Sequence, residues 1–159
     1  GDEAFDDITS EALTSERAEK FPAVTKIYKG EAGNFFVCAS PVGYHGPMDV
    51  AVAIDGESMT SKGIRIIKHM EAKEYVRDFD SDWFESRFAG KSVSQNLTTV
   101  YLEASSDNEI VTITGATVTT DGVVLGVNAA FSVIREYALG ETAQAVPQAA
   151  ELNRKQPLS

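Results

Sequence analysis

Large apolar residues alternate with polar or small ones over much of the chain, which is the period of a half-buried β-strand. Over residues 48–54 every second residue is large and apolar, so we expect a strand with one buried face. The run 34–39 is almost continuously apolar, which is typical of a strand at the centre of a sheet. Further strands are predicted over residues 24–28, 64–69, 98–103 and 109–113. Because short turns join most of these runs, the pattern favours an antiparallel meander over βαβ units.

The helical period is found in two short stretches, one near the start of the chain and one in its middle. Ser10 is placed to cap a helix that runs to about Lys20 and ends before Pro22. A second, amphipathic helix is predicted over residues 82–88 with its aromatic side chains inward, and Gly90 is a fitting stop for it.

The strongest helical pattern lies late in the chain, where apolar residues recur at positions i, i+3, i+4 and i+7 over residues 123–138. We expect this helix to begin near Thr119 or Thr120 and to end at Gly140. Gly126 lies inside it, at a cost of roughly 0.8–1 kcal/mol relative to alanine. A glycine in such a place is typical of close approach by a strand or a ligand.

These strands and helices together predict an α+β fold, in which an antiparallel sheet carries helices packed on one side. A length of 159 residues suits one domain with a substantial core. We divide the chain into an acidic, partly helical lead-in over residues 1–22, a domain over 23–140 and a tail over 141–159. The tail is predicted to be loosely ordered, because it is polar and rich in alanine, glutamine and proline.

Composition and charge narrow the possible partners. The chain is 43% hydrophobic and 24% charged, as soluble globular domains are, and its net charge is −10. Such a charge argues against a nucleic-acid partner and against docking on an anionic membrane surface, because both need a basic face. No run of about 18 apolar residues indicates a membrane span. The chain begins at Gly1 without a methionine, which we interpret as a cloning scar or a processed end.

Side chains for stand-alone catalysis are not evident in the sequence. The two histidines lie in unrelated contexts, and neither a nucleophile elbow nor metal-ligand spacing occurs, so we predict no catalytic residue and no metal site. The single cysteine, Cys38, excludes an internal disulfide and a cysteine-cluster metal site. Its apolar neighbours predict a small buried side chain rather than a reactive thiol.

A turn crowded with hydroxyl groups separates the last predicted strand from the last helix. Asp121 follows it in the first turn of the predicted helix, where a carboxylate suits the helix dipole. Small residues before a helix N-terminus form a natural anion site, because unpaired backbone N–H groups and the dipole both point toward it. A phosphate bound by a threonine is one interpretation, and a β-turn followed by a helix cap is the other. The turn comprises Thr114, Gly115, Ala116, Thr117, Val118 and Thr119.

The six residues from Thr114 to Thr119 resemble the S/T-G-A-T-x-T flavinylation motif of the FMN-binding domain family. That family includes the G subunit of the Rnf electron-transport complex and the C subunit of the sodium-translocating NADH:quinone reductase. Residues 43–50 are similar to the family's G-Y-x-G-x-hydrophobic strand entry, and residues 83–91 to its W…F-x-G-K stretch. The resemblance covers roughly residues 24–137, with the motifs in the family's order.

The resemblance implies FMN as the cofactor, joined through its phosphate to the side chain of Thr117 by a phosphoester bond that a separate flavin transferase makes. Thr119 would contact the phosphate or cap the helix. Tyr44 is either a wall of the flavin pocket or a core aromatic residue, and Glu71 either contacts the flavin or pairs with His69 at the surface. The implied cofactor site comprises Thr117, Thr114, Gly115, Ala116, Val118, Thr119, Tyr44, Gly46, Pro47 and Glu71.

By the same resemblance, the chain is an electron-transfer flavoprotein domain, a redox subunit of an oxidoreductase complex rather than a stand-alone enzyme. Its partners would be the other subunits of a membrane redox complex. It would lie on the extracytoplasmic side of the membrane, with an N-terminal anchor that is absent from this sequence. The alternative is a sensory or binding module of the same fold that holds FMN noncovalently or lacks it. Val111 motivates this alternative, because the family often has an acidic residue there, and so does the loop after Glu71, which departs from the family's H-x-E-T-P-G-L-G.

Overall fold

Strands and helices form two layers, with an antiparallel sheet in one and the long C-terminal helix in the other. The structure is a computed structural model and describes residues 4–43, 46–69, 85–112 and 117–149. The helices of these residues are α1 (Thr9–Ala12), α2 (Ser15–Lys20), the 3-10 turn η1 (Ser86–Phe88) and α3 (Thr117–Leu139). The strands are β1 (Phe5–Asp7), β2 (Val24–Gly30), β3 (Phe35–Ala39), β4 (Val42–Gly43), β5 (Gly46–Asp55), β6 (Thr60–His69), β7 (Thr98–Val100) and β8 (Glu109–Val111). The predicted α+β class is confirmed.

The main sheet is an antiparallel ladder that follows the predicted meander. β1 pairs with β2, β2 with β3 and β3 with β5, and β6 pairs with the other side of β5. The two-residue strand β4 pairs with the first residues of β5. Val37 of β3 lies opposite Ile27 of β2 and Val52 of β5, so the apolar run 34–39 does lie inside the sheet.

Helix α3 covers the apolar face of this sheet. The alternating residues of β5 that were predicted to form the face are all buried: Met48, Val50, Val52 and Ile54. The buried residues of α3 include those that the helical spacing predicts: Val123, Val124, Val127, Ala130, Phe131 and Ile134. Ala138, which the same spacing places inward, is exposed, so the buried face ends before the last turn of the helix.

Gly126 permits close contact between α3 and the chain before β4. A Cβ atom at this position would lie 2.8 Å from Cγ of Pro41, closer than two carbon atoms can approach. Close approach by the backbone of another segment is therefore the reason for a glycine here. By length and apolar composition the segment Thr120–Leu139 could cross a membrane, but 72% of its apolar 18-residue window is buried within the fold, as in the core helix of a globular domain.

The single helix predicted over residues 10–20 is wrong, because the chain forms two short helices there. α1 ends at Ala12 and α2 begins at Ser15. Between them the Thr14 hydroxyl accepts a hydrogen bond from the N–H group of Arg17 at 3.3 Å and caps α2. A threonine hydroxyl competes with the backbone for such an N–H group, so it ends one helix and starts the next.

Both ends of the described chain pack against the domain. In the predicted lead-in, β1 extends the sheet and Phe21 is fully buried. In the predicted tail, Ala143 and Val146 are buried, and the N–H group of Val146 donates a hydrogen bond to the backbone of α2. The prediction of a loosely ordered tail is therefore wrong over residues 141–149, because two of its apolar side chains pack into the core. Residues 150–159 lie outside the described part of the chain.

The segment after η1 covers the outer edge of β6. Ser61 N–H donates to the carbonyl of Lys91 at 2.7 Å, and Gly90 N–H donates to the carbonyl of Ser61 at 2.7 Å. Phe88 is fully buried beside this edge, as predicted. Of the helix predicted over residues 82–88, only the last part is described, and it forms a 3-10 turn. The covered edge is therefore unavailable for pairing with another chain.

A second, two-stranded sheet is formed by β7 and β8, which run parallel with Val100 opposite Val111. The strand predicted over residues 98–103 ends at Val100, three residues early. Beyond it Tyr101 is 71% exposed and Leu102 is 87% exposed. Their apolar character suggested a strand, but these two side chains are exposed, so the apolar pattern here does not reflect burial in the core.

Candidate functional site

The candidate phosphate turn connects β8 to α3. β8 ends at Val111, and the N–H group of Thr112 donates a hydrogen bond to the backbone of β7 at 2.9 Å. α3 already includes Thr117, the first residue described after the turn, so the prediction of a helix start at Thr119 or Thr120 is wrong. Threonine occurs both at the cap position and in the first helical turn, so a run of hydroxyl residues does not fix where the helix begins.

This start places three predicted site residues in the first turn of α3. They are Thr117, Val118 and Thr119, and the N–H groups at the beginning of a helix have no intrahelical acceptors. Together with the helix dipole, those groups favour an anion in front of the turn. Residues 114–116, which complete the predicted turn, lie outside the described residues.

A side-chain hydrogen bond fixes this end of α3 over the two-stranded sheet. Oγ1 of Thr99, on β7, donates to Oδ1 of Asp121 at 2.7 Å. The prediction that Asp121 lies in the first helical turn is wrong, because the helix begins earlier than expected. Its carboxylate therefore accepts from β7 rather than facing the helix dipole. Thr120 beside it is fully buried.

Two buried polar side chains of α3 hold the segment that leads into β7. Oδ1 of Asn128 accepts from the N–H group of Leu97 at 2.7 Å, and Nδ2 donates to the carbonyl of Leu97 at 3.0 Å. Nε of Arg135 donates to the carbonyl of Val93 at 2.7 Å. These bonds satisfy backbone groups of a segment that has little regular structure of its own. The strand pair beside the candidate turn is therefore anchored to the same helix that the turn begins.

Two polar side chains close to the turn have unusual surroundings. The Thr112 hydroxyl is buried, and no group in the described residues hydrogen-bonds to it. Nη1 of Arg87 donates to the carbonyl of Val111, and burial lowers the pKa of this guanidinium. Arg87 and Val111, with Glu109, line a cavity of about 360 Å³ beside β8. Buried hydroxyl groups nearly always have a partner, so Thr112 is an exception among the described residues, as is Ser132 on α3.

The second predicted motif forms the hairpin between β4 and β5. Gly46 and Pro47 open β5 and pair with the two residues of β4. The chain before this hairpin meets α3 at Gly126, roughly 13 Å along the helix axis from Thr117. The structure thus brings two of the predicted motifs to one helix. The two other predicted flavin contacts lie outside the described residues: Tyr44 and Glu71.

The face of the sheet away from α3 carries a second cavity of about 330 Å³, lined in part by Phe36, Ala51 and Ala53. Cys38 lies opposite Ala51 in the sheet and is half-buried, not fully buried as predicted, because α3 covers the other face. Burial and the nearby Asp49 raise the pKa of its thiol, which agrees with the prediction of an unreactive side chain. Within the described ranges, no three His, Cys, Asp or Glu side chains gather closely enough to hold a metal ion.

Sequence reasoning did not single out Arg87, Thr99 or Thr112. Thr112 alternates with the buried Ile110 along β8, and that two-residue period is a signal that could have placed it inward. Arg87 lies within the W…F-x-G-K stretch, where its charge looks like the solvated side of a short helix. Thr99 carries no local signal, because its partner is 22 positions away along the chain.

The FMN-binding domain family matches the chain over residues 43–132, which is more than half of its length. The chain therefore belongs to this family, and FMN is its cofactor, as predicted. It is similar to the G subunit of the Na(+)-translocating ferredoxin:NAD(+) oxidoreductase complex of Acetobacterium woodii, with 33% identity over 111 residues. The matched region is 69% of this chain and 53% of that relative, so the chain spans about half the length of the curated protein it matches.

Two solved structures share the fold. The crystal structure of NqrC from Shewanella oneidensis has a TM-score of 0.59 and 18% identity, covering 72% of this chain and 59% of that one. The C subunit of the Na(+)-translocating NADH-quinone reductase from Parabacteroides distasonis has a TM-score of 0.59 and 18% identity, covering 75% and 63%. These likenesses confirm the predicted architecture, and at such identity they bear on the fold alone.

The described residues fit FMN in three respects. α3 offers a helix N-terminus to a phosphate at the position where the family motif lies. The cavity of about 360 Å³ beside β8 is within the usual range for a small-molecule site, and its lining includes a guanidinium, from Arg87, and a carboxylate, from Glu109. The buried Thr112 hydroxyl requires a polar partner that the described residues do not supply.

Proposed function

We propose that this chain is an electron-transfer flavoprotein domain that carries FMN on Thr117 through a phosphoester bond. The observation that supports the attachment most directly is that Thr117, the threonine of the G-A-T sequence, lies at the N-terminal end of the described part of α3. A residue close to the N-terminus of a helix lies near the unpaired N–H groups of its first turn. A phosphodiester keeps a negative charge, and a helix N-terminus stabilises such a charge by about 0.3–1 kcal/mol.

The residues of the motif have separate tasks in this proposal. Thr117 supplies the hydroxyl oxygen that bonds to phosphorus, while its proton and the leaving group of the flavin donor depart in a reaction that a separate flavin transferase catalyses. Gly115 and Ala116 leave room for the flavin phosphate. Thr119 contacts the phosphate or caps the helix. Bound FMN supplies the electron-accepting and electron-donating chemistry, and the chain sets its position and its contact with water.

We further propose that the domain works in a membrane redox complex, on the extracytoplasmic side, held by an N-terminal anchor and surrounded by the other subunits. The relative from Acetobacterium woodii, which is named as a subunit of an oxidoreductase complex, supports this proposal. A covalent bond would retain the cofactor outside the cytoplasm, where free FMN is scarce. Copurification of other redox subunits with the full-length protein from its own host tests the assignment, and isolation of the protein alone from gently solubilised membranes would count against it.

Intact-mass spectrometry of the chain co-expressed with a flavin transferase tests the attachment. We expect the wild-type chain to gain the mass of one FMN less one water. Thr117→Ala should gain nothing, whereas Thr25→Ala, which changes an exposed threonine on β2 outside the motif, should keep the gain. A modified Thr117→Ala chain would overturn the assignment. So would an unmodified wild-type chain in cells where the transferase modifies a known acceptor. Yellow colour that leaves on denaturation and filtration would instead support the noncovalent binding module.

A further inference from the structure

We propose that Arg87 is a positioning residue for the FMN-bearing turn, because it holds the end of β8 from which that turn starts. Its Nη1 group donates a hydrogen bond to the carbonyl of Val111, the last residue of β8. The predicted turn begins three residues later, at Thr114, and the described part of α3 begins at Thr117. The identity of the cofactor rests on the proposed function, whereas the contact between Arg87 and β8 does not.

The carbonyl of Val111 has no place in the ladder between β7 and β8. In the parallel register, Val111 lies opposite Val100, and it is the N–H group of Thr112 that donates to Val100. The carbonyl of Val111 therefore points away from β7, toward an edge on which the described residues include no further strand. A backbone acceptor at a strand edge needs a partner, and a charged donor forms a stronger bond than a neutral one.

Arg87 is itself held firmly by the residues on either side of it. Two residues earlier, the buried Glu85 accepts a hydrogen bond from the N–H group of Ile66, on β6, at 2.9 Å. The next residue, Phe88, is fully buried, and its carbonyl accepts a hydrogen bond from the hydroxyl of Ser61, also on β6. Arg87 thus connects a fixed point on the main sheet to the end of the two-stranded sheet.

Loss of the hydrogen bond between Arg87 and Val111 would change the position of the turn. Thr112, which follows Val111, has a buried hydroxyl without a partner among the described residues, so a shift of β8 would move this group as well. Arg87 therefore fixes the end of β8 from which the candidate turn starts.

Hydrogen exchange on the flavin-free chain tests the positioning role with a well-matched control. Arg87→Met removes a positive charge and the hydrogen bond to the carbonyl of Val111. Lys91→Met also removes a positive charge and a bond to a backbone carbonyl, because Nζ of Lys91 donates to the carbonyl of Asp107 at 2.7 Å, in the loop before β8. We expect the amides of residues 112–120 to exchange about tenfold faster in Arg87→Met and at the wild-type rate in Lys91→Met. Equal exchange in the two variants would overturn the proposal.

A second measurement monitors the bound cofactor instead of the backbone amides. In protein loaded with FMN, Arg87→Met should change the visible circular dichroism of the flavin and lower the fraction of chains loaded, whereas Lys91→Met should do neither. If Arg87→Met does not fold, Arg87→Gln replaces it, and wild-type exchange over residues 112–120 in that variant would also overturn the proposal. If the wild-type chain takes up no FMN, the proposed function fails, while the exchange experiment still decides the role of Arg87.

Discussion

Thr99 and Asp121 join two elements that are 22 positions apart in sequence, through a hydrogen bond of 2.7 Å from the threonine hydroxyl to the aspartate carboxylate. The bond connects β7 to the N-terminal part of α3, just after the candidate turn. Since β7 also pairs with β8, the segments on both sides of that turn are fixed to the same short strand. The position of the candidate turn therefore depends on a contact outside the family's motif.

The Thr99–Asp121 pair should show energetic coupling. We expect Thr99→Val and Asp121→Ala each to lower the free energy of unfolding by about 1–2 kcal/mol, because a hydrogen bond to a charged acceptor is lost. In the double variant the two losses should fall short of their sum by about 1 kcal/mol. Urea unfolding of the four chains measures this. Asp107→Ala, at an exposed loop position, is the control and should have little effect. Strict additivity of Thr99→Val and Asp121→Ala would show that the contact contributes nothing.

Gly126→Ala should destabilise the protein even though alanine is the better helix former. Helix propensity alone would favour alanine by roughly 1 kcal/mol. The new Cβ would lie 2.8 Å from Cγ and 3.0 Å from Cδ of Pro41, and a proline ring cannot rotate away. Overpacking of this kind costs about 1–3 kcal/mol, so we expect a net loss of stability.

Thermal unfolding in a second background separates these two effects. In Pro41→Ala the Cγ and Cδ atoms are absent, and the same Gly126→Ala change should be neutral or stabilising there. If Gly126→Ala is equally harmful in both backgrounds, the clash with Pro41 is not its cause.

Glu136 should make stability depend on pH in the acid range. Burial disfavours its ionised form, but hydrogen bonds from Lys20, the N–H group of Ala143 and Arg17 outweigh that effect and lower its pKa below the usual 4.5. The bond from Arg17 is 3.1 Å long and that from Ala143 is 2.9 Å long. A carboxyl group with a lowered pKa stabilises the folded state above its unfolded pKa, and this contribution is lost as the pH falls through the folded pKa.

The matched comparison for this prediction is Glu136→Gln against Glu141→Gln, which changes an exposed residue nearby. The difference in unfolding free energy between the wild type and Glu136→Gln should be largest at neutral pH. It should become smaller as the pH drops below about 4.5. Glu141→Gln should track the wild type throughout. A Glu136→Gln difference that stays constant down to the acid limit would contradict the assigned role of the carboxylate.

Glu85 should contribute to the stability of the fold mainly through the hydrogen bond that it accepts from the N–H group of Ile66. One carboxylate oxygen accepts from the N–H group of Ile66 at 2.9 Å, and the other pairs with Arg65, whose side chain is 69% exposed. Glu85→Ala leaves the N–H group of Ile66 without this acceptor, so we expect a loss of about 1–3 kcal/mol. Glu85→Gln keeps an acceptor and should lose less. Glu57→Ala, at an exposed turn, is the control in chemical denaturation, and equal losses for the two Glu85 variants would contradict this interpretation.

The strands of the main sheet could be predicted because the alternation of apolar and polar residues follows the alternation of buried and exposed side chains along each strand. Val50 and Val52 alternate with residues of the other face, and only one register places both of them in the core. Helix starts were harder to predict, since they depend on single hydrogen bonds. The Thr14 hydroxyl divides one predicted helix into two, and α3 begins at Thr117 although later threonines are equally plausible caps.

Only the part of the candidate site that lies within the local sequence motif could be predicted. The position of Thr117 at the end of β8 follows from a short stretch of sequence, and the structure describes it at a helix start. The contact from Arg87 to Val111 joins segments 24 positions apart, and nothing in either segment specifies the other. The apolar residues of the last segment, Ala143 and Val146, are too few to indicate burial, because their places in the core are created by distant elements.

The packing of the C-terminal segment sets the size of the piece that can fold independently. The family match covers residues 43–132, but a fragment cut at those limits would lack β1, β2 and the interior strand β3. It would also end within α3 and omit residues 141–149, whose backbone bonds to both α2 and β4. A piece that keeps these contacts therefore extends from β1 to about residue 149, and we expect a fragment of residues 43–132 to be less stable.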